Sequence, residues 1–538
     1  MWKIGRREFV GSAFIGSAGL LALRTANAAD ARIEVLINEP IGNISPEIYG
    51  HFIEHLGGVI YDGVWVGEQS KIPNIGGIRK ALVEHMRRIK PGVLRWPGGC
   101  FADSYNWHDG VGPRSERPRR TNFWIRDTTQ NSDSPQVYEP NQFGTNEFAR
   151  FCKLIGAQPY FAANLRSLPA KDFYEWVEYC NAPADLTTLS RMRAVAGDRE
   201  PFGVRYWGVG NESWGCGGNL TAEEYATEFR RFIAWVPQYS VKLAFVGSGP
   251  NGADRRWTRG FFTKLAEKGE NFFRNLYGWG LHYYCGSTGK KVSTEYTTDE
   301  WYELLGKSDR MESLINDHWS VMGEIDTRRQ VKLVVDEWGA WHERDKRMPE
   351  TYLWAYPGTL RDALVAGINL DTFNRHADKI AMANVAQLIN TIHSLFLAYE
   401  DKFIATPNYH VFEMYSAHQG GTSLRTVFSA PRVSYNVAEK PNSLWGLQGS
   451  ASLHDKQLVL TVVNPHHNQA RETEIAIRGA SIESCQSRVL SSTDIHAHNS
   501  FANPRGLEPK DADVSIAGPT LVYQFLPASV TRLQISLA

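Results

Sequence analysis

Residues 203–218 read GVRYWGVGNESWGCGG. Val204, Tyr206, Trp207 and Val209 form a short apolar strand that breaks at Gly210 into Asn211, Glu212 and a glycine-rich loop. A carboxylate at the end of a buried strand, with an amide beside it and aromatics on both sides, resists ionising. A general acid needs that property. An isolated Asn-Glu pair is more simply a solvated strand end, because short motifs carry little weight alone.

A second stretch changes the balance. Residues 331–341 read VKLVVDEWGAW. Val331, Leu333, Val334 and Val335 are a continuous apolar run, the pattern of a strand buried on both faces. Asp336 and Glu337 follow, then Trp338, Gly339 and Trp341. Two separate apolar strands thus each end in a Glu flanked by Trp. Carboxylates at the C-terminal ends of barrel strands read as catalytic, and a pair flanking one bond is the apparatus of glycoside hydrolysis.

The chain is 538 residues long, enough for two or three domains. Basic and acidic residues balance at 58 each, so no charge draws it to nucleic acid or to an anionic membrane. The 17 Trp, 22 Tyr and 25 Phe offer stacking faces for sugar rings, though most will sit in cores. Gly5, Arg6, Arg7, Glu8, Phe9 and Val10 form a twin-arginine pattern. An apolar run and the small residues Ala26, Asn27 and Ala28 follow it, so residues 1–29 are expected to be an export signal and the mature protein periplasmic or secreted. The run is too short to span a bilayer. Cys100, Cys152, Cys180, Cys216, Cys285 and Cys485 lack metal-ligand spacing and are too few for a disulfide scaffold. Cys100, Cys216 and Cys285 follow proposed strand ends and read first as packing residues.

Residues 32–37 alternate with period two, a half-buried strand. From about residue 48, apolar strands alternate with amphipathic helices, the pattern of a parallel α/β architecture. Strands are expected at 48–52, 93–96, 159–163, 204–209, 243–246, 277–282, 333–335 and 380–388, the eight that close a (β/α)8 TIM barrel. Helices are clearest at 78–89, 147–155, 172–179, 222–235 and 359–366. Most strands end in polar or aromatic residues: His51 and Glu54, Arg95, Asn164, Asn211 and Glu212, His282 and Tyr284, Glu337, Asn384 and Gln387. Singly, each is an ordinary structural polar group; together at one barrel end they make a pocket. From about residue 409 the pattern changes to short strands at 458–463, 472–477 and 530–535, separated by turns. This is an antiparallel β-sandwich that the N-terminal strand could join. The expected domains are therefore 30–47 with the sandwich, 48–408 as the barrel and 409–538 as the sandwich.

These motifs together resemble glycoside hydrolase family 51, the α-L-arabinofuranosidases, over nearly the whole mature chain. The resemblance rests on GVGNESWGCGGN at 208–219, YGHFIEH at 49–55, RWPGGCF at 95–101, DSYNW at 103–107, NEF at 146–148, DEW at 336–338, FNRH at 373–376 and ANVAQL at 383–388. It implies a retaining glycosidase on a TIM barrel with an appended jelly-roll-like sandwich, and a hexamer. It implies Glu212 as acid/base and Glu337 as nucleophile, with Asn211 holding the sugar 2-hydroxyl. Arg95 and Tyr284 would bracket Glu337. Glu54, Asn164, His282 and Gln387 would line the furanose subsite, with Trp124 as an apolar wall and Cys100 where some members have Asn. Gly339, Ala340 and Trp341 depart from the family pattern, as do Cys285 and Gly286. No metal or cofactor is implied. The partner is an arabinofuranosyl oligo- or polysaccharide, cleaved at its non-reducing end. The alternatives are an endo-β-glucanase or xylan-active hydrolase on the same scaffold, or a carbohydrate-binding protein without turnover.

Overall fold

The structure, a computed structural model, describes residues 29–125, 136–286, 289–514, 516 and 520–538. The export-signal expectation falls, apart from Ala29, outside these residues.

β1 (Ala31–Asn43) comes first and belongs to a sheet formed much later in the chain. Eight strands then follow: β2 (Gly50–Phe52), β3 (Val93–Trp96), β4 (Gln158–Ala163), β5 (Tyr206–Val209), β6 (Ala244–Gly247), β7 (Gly278–Gly286), β8 (Lys332–Trp341) and β9 (Ile380–Val385). Each pairs in parallel with its chain neighbour, and β9 returns to β2 through Asn384 opposite Gly50, which closes the barrel. β3, β5 and β6 are buried at every position, β5 and β6 as their unbroken runs of apolar residues and glycine require and β3 with Arg95 buried among apolar neighbours.

The expected barrel strands are all present, 93–96 with the expected bounds and the others with shifted ends. β2 begins two residues late because Pro46 opens a tight turn, Pro46–Tyr49, ahead of it. β7 and β8 run on past His282 and Glu337, where Tyr283 to Gly286 pair with Trp338 to Trp341. The helix Thr298–Gly323 has no counterpart in the reading above, nor has Arg255–Ala266. Pro407–Tyr415 is helical just where the helical pattern was read as fading.

The last part of the chain supplies β10 (Thr422–Ser429), β11 (Gln448–His454), β12 (Gln457–Asn464), β13 (Arg471–Arg478), β14 (Ile482–Ser491), β15 (Lys510–Asp513), β16 (Leu521–Phe525) and β17 (Ser529–Leu537). With β1 they make one nine-stranded sheet in the order β15-β14-β17-β12-β11-β10-β1-β13-β16. β1 pairs antiparallel with β10 and parallel with β13. Ile33, Val35, Leu424, Leu460, Ile475, Phe525 and Leu533 share one buried core built only from this sheet and its turns. The sheet therefore rolls over its own apolar face, and the two layers of the sandwich are one continuous ladder.

The other face packs on the barrel helix Leu360–Arg375. Asp371 accepts hydrogen bonds from Ser450 and Thr461, and Asn374 donates to Ser450. Every residue of this helix but its last, Arg375, is buried. It lies between two cores, which is why its sequence shows no strong apolar stripe.

Ile33 is fully buried between Phe428 and Ile475. Ile33→Ala should cost about 2–5 kcal/mol, read as a lower denaturation midpoint. An unchanged midpoint would mean that β1 does not brace the sheet.

Candidate active site

The C-terminal ends of the barrel strands open into a cavity of about 640 Å³, within the usual size range of a ligand pocket. Its wall includes Glu54, Cys100, Trp124, Asn211, Glu212, His282, Tyr284, Glu337 and Gln387.

Glu337 reaches this cavity through a fault in β8. Successive strand residues point to opposite faces, yet Asp336 and Glu337 both engage Arg95. Gly280 pairs with Val334 while His282 pairs with Glu337, so two residues of β8 oppose one of β7. This is a bulge, a device that re-aims a side chain. Asp336 turns to the barrel interior, accepting hydrogen bonds from Tyr160 (2.8 Å) and Asn384 (2.9 Å). Glu337 turns to the cavity.

Arg95 is 1% exposed. Its Nη1 donates to Glu337 Oε1 at 2.8 Å and its Nη2 to Asn211 Oδ1 at 2.6 Å, and its guanidinium lies 4.6 Å over the Phe52 ring. Burial alone would lower its pKa; Asp336 and Glu337 outweigh that and raise it above the ordinary value. The Tyr284 hydroxyl donates to Glu337 Oε2 at 2.7 Å. Burial favours the neutral Glu337 acid, but the charges of His282 and Arg95 and the hydrogen bonds from Tyr284 and Arg95 hold its pKa below the usual value. Glu337 is thus kept ionised.

Glu212 has different surroundings. It follows β5 in a left-handed conformation, φ +41°, just after Gly210 at φ +76°. The turn is held by Asp103, whose carboxylate accepts from the backbone N–H groups of Asn211, Leu165 and Arg166. Burial raises the Asp103 pKa to about 7 against these three donors. The loop doubles back so tightly that a Cβ on Gly217 would lie 1.8 Å from the Asn211 carbonyl oxygen. His282 Nδ1 stands 3.1 Å from Glu212 Oε1 and 3.5 Å from Glu337 Oε2. One ligand atom from each of these three side chains lies within 4.8 Å of the others. Burial would lower the His282 pKa; the charge of Glu337 and the hydrogen bond to Glu212 raise it above its ordinary value. By distance the trio could hold a cation, but Arg95 already places a full positive charge on the same carboxylate, which opposes a second one.

Glu54 accepts from the Phe101 backbone N–H and from Gln387 Nε2, each at 2.9 Å. Gly98 and Gly99 are required by close approach. A Cβ on Gly98 would lie 2.6 Å from Glu54, and one on Gly99 would lie 2.8 Å from Glu337 Oε1. Trp124, Trp354 and Trp341 form one aromatic wall through successive edge contacts at 5.5 and 4.9 Å. Trp354 was missed by the sequence reading, as were the lining residues Trp214, Asn251 and Arg310. The stretches of Trp354, Asn251 and Arg310 carry no strand or motif signal, whereas Trp214 stands inside the 208–219 motif but was given no role there.

Two expectations are corrected. Asn164 does not line this cavity: its side chain bonds the Tyr105 carbonyl and Ser167 behind the wall. Cys100 and Cys216, read as packing residues, are joined in a disulfide that bridges the loops after β3 and β5. They lie 116 residues apart, so no local spacing signalled the pair.

A family model described as the α-L-arabinofuranosidase 1 domain matches residues 85–275, and one described as the α-L-arabinofuranosidase C-terminal domain matches 336–529. An intracellular exo-α-L-arabinofuranosidase of Bacteroides ovatus is 32% identical, covering 96% of this chain and 98% of that one. The GH51 arabinofuranosidase from Xanthomonas axonopodis pv. citri superposes with a TM-score of 0.87 at 32% identity, over 95% of this chain and all of that one. The chain belongs to the α-L-arabinofuranosidases of glycoside hydrolase family 51. The enzyme is also similar to the α-L-arabinofuranosidase of Thermotoga maritima solved with arabinose: TM-score 0.80, 27% identity, 94% of this chain and 100% of that one.

The relatives also overturn the export expectation. Those from Bacteroides ovatus, Bacillus subtilis, Acetivibrio thermocellus and Streptomyces lividans are named intracellular enzymes, which conflicts with a secreted or periplasmic arabinofuranosidase. An arginine pair before an apolar run is a short pattern that arises without export, and the signal reading of residues 1–29 is withdrawn.

Burial raises the Glu54 carboxyl to about 7 from an ordinary 4.5. The folded protein therefore keeps a proton that the unfolded chain releases. The resulting stabilisation is complete below pH 4.5 and is lost as the pH climbs to 7. In urea titrations at pH 5 and pH 8, wild type should lose on the order of 3 kcal/mol relative to Glu54→Gln between the two. Parallel pH dependence in the two proteins would refute the shift.

Proposed function

We propose that this arabinofuranosidase releases terminal non-reducing α-L-arabinofuranosyl residues from arabinose-containing oligo- and polysaccharides by double displacement. One observation carries the reading: two carboxylates face one gap, and the polar contacts around them are unequal in number. Glu337 is surrounded by donors and positive charge. Glu212, 22% exposed at its side chain, has a single nitrogen within reach among the described residues, from His282.

Glu337 attacks the anomeric carbon, and the glycosidic C–O bond breaks as Glu212 gives its proton to the departing oxygen. An ester links the sugar to Glu337. Ester formation removes the negative charge at Glu337, and Glu212, now a carboxylate, takes a proton from water as it attacks the same carbon. The ester bond breaks, Glu337 is again an anion, and the configuration is retained. Side chains about 5–5.5 Å apart suit this course, whereas inversion needs about 6.5–9.5 Å. The proximity of the two carboxylates supports retention.

Asn211 accepts from Arg95 through Oδ1, which leaves its Nδ2 as the donor for the sugar 2-hydroxyl. Glu54 and Gln387 offer an acceptor and a donor to the remaining hydroxyls. The tryptophan wall supplies an apolar face.

Glu337→Ala should lose about 10⁴-fold or more in kcat/KM on every substrate. Glu212→Ala should spare kcat/KM for p-nitrophenyl arabinofuranoside, whose leaving group needs no proton. On an arabino-oligosaccharide it should lose about 10²–10⁴-fold. Equal losses on both substrates would end the assignment of Glu212.

A further inference from the structure

The loops after β3 and β5 meet in the cavity at the Cys100–Cys216 disulfide. Both sulfurs lie against one atom of Glu212: Oε2 is 3.9 Å from Cys100 Sγ and 3.7 Å from Cys216 Sγ. A disulfide sulfur has no hydrogen, so neither contact is a hydrogen bond; together they form an unreactive wall behind the oxygen. Oε1 is occupied by His282. The carboxyl is thereby aimed by a nitrogen on one oxygen and by two sulfurs on the other.

The backbone does not supply this aim. Glu212 sits at φ +41°, a conformation costly for a side-chain-bearing residue and kept only where surroundings enforce it. Asp103 holds Asn211, and the Ser213 N–H donates to Ser248 Oγ. The Glu212 carbonyl accepts from Gly215 and Gly217. These bonds fix the main chain on either side of the acid, but none touches its carboxylate. Cys100 faces the cavity and both cysteines are half-buried, so a small reductant can reach the bond.

We propose that the Cys100–Cys216 disulfide is a positioning element for Glu212, and that its reduction by a dithiol selectively weakens proton donation to the leaving group. In that step the S–S bond accepts two electrons and two protons from the dithiol, which closes to its own cyclic disulfide. The two new thiols cannot stay at bonding distance and must separate, so the wall behind Oε2 moves. Each thiol also gains an S–H that can donate to the carboxylate and favour the anion, the wrong form for an acid. The inference rests on reading Glu212 as the acid/base.

The test uses the full chain in oxidised and dithiothreitol-reduced forms, with Cys216→Ser, outside the cavity wall, as a second route to the opened state. Thiol titration in denaturant should find four of the six cysteines free in oxidised protein and all six after reduction. Reduction should lower kcat/KM on an arabino-oligosaccharide by on the order of 10- to 100-fold. kcat/KM on p-nitrophenyl arabinofuranoside should stay within about threefold. Reoxidation should restore wild type, and Cys216→Ser should show the reduced-state values with or without dithiothreitol. Six free thiols before reduction, equal losses on both substrates, or no loss in fully reduced wild type would each overturn the proposal. Glu212→Ala in the same two assays separates the causes. If it fails to split the substrates, the acid assignment is at fault; if it splits them and reduction does not, the disulfide has no such role.

Discussion

The Arg95 guanidinium is the centre on which the rest depends. It is buried, charged, and forked between Glu337 and Asn211, which come from strands far apart in the chain. A buried cation must be paired, and Asp336 and Glu337 pair it. The same contacts keep a buried carboxylate ionised against the pull of its surroundings. Stability and the site's electrostatics thus share one ion-pair network: the barrel cannot close comfortably around Arg95 without presenting an ionised carboxylate to the cavity.

The surrounding architecture serves that network. A parallel barrel gathers strand ends from the whole chain at one rim, and the β8 bulge turns two adjacent acids to different tasks. Glycines at positions 98, 99 and 217 allow main chain to approach carboxylates and carbonyls where any Cβ would collide. The rolled sheet braces the barrel from outside through the helix Leu360–Arg375, whose Asp371 and Asn374 bond strand residues of that sheet. β1 closes this sheet with residues translated before the barrel begins. The sheet therefore completes its pairing only when both chain ends are present.

Much of this was legible in the residues. The two Glu-Trp strand ends, the eight apolar runs and the glycine-rich turn at 210–218 are local signals, and local signals survive in one dimension. The residues missed share a different character. Trp354 and Arg310 reach the cavity from a loop and a long helix whose sequences follow no barrel period. Asn164 sits at a strand end like the others, yet its amide is consumed by the Tyr105 carbonyl and Ser167. Only the neighbours decide whether a polar group at a rim faces the ligand or the wall.

The sequence by itself determined the order of the barrel strands, the closed parallel barrel and the placing of Glu212 and Glu337 at strand ends, because apolar periodicity and turn residues act over a few positions. The tertiary structure decided which way each acid points, that Glu337 stays ionised, and that Cys100 meets Cys216 beside Glu212. Those outcomes depend on burial, on a two-against-one strand register and on charges brought together from more than 100 residues apart. No stretch of chain carries such quantities until it is folded.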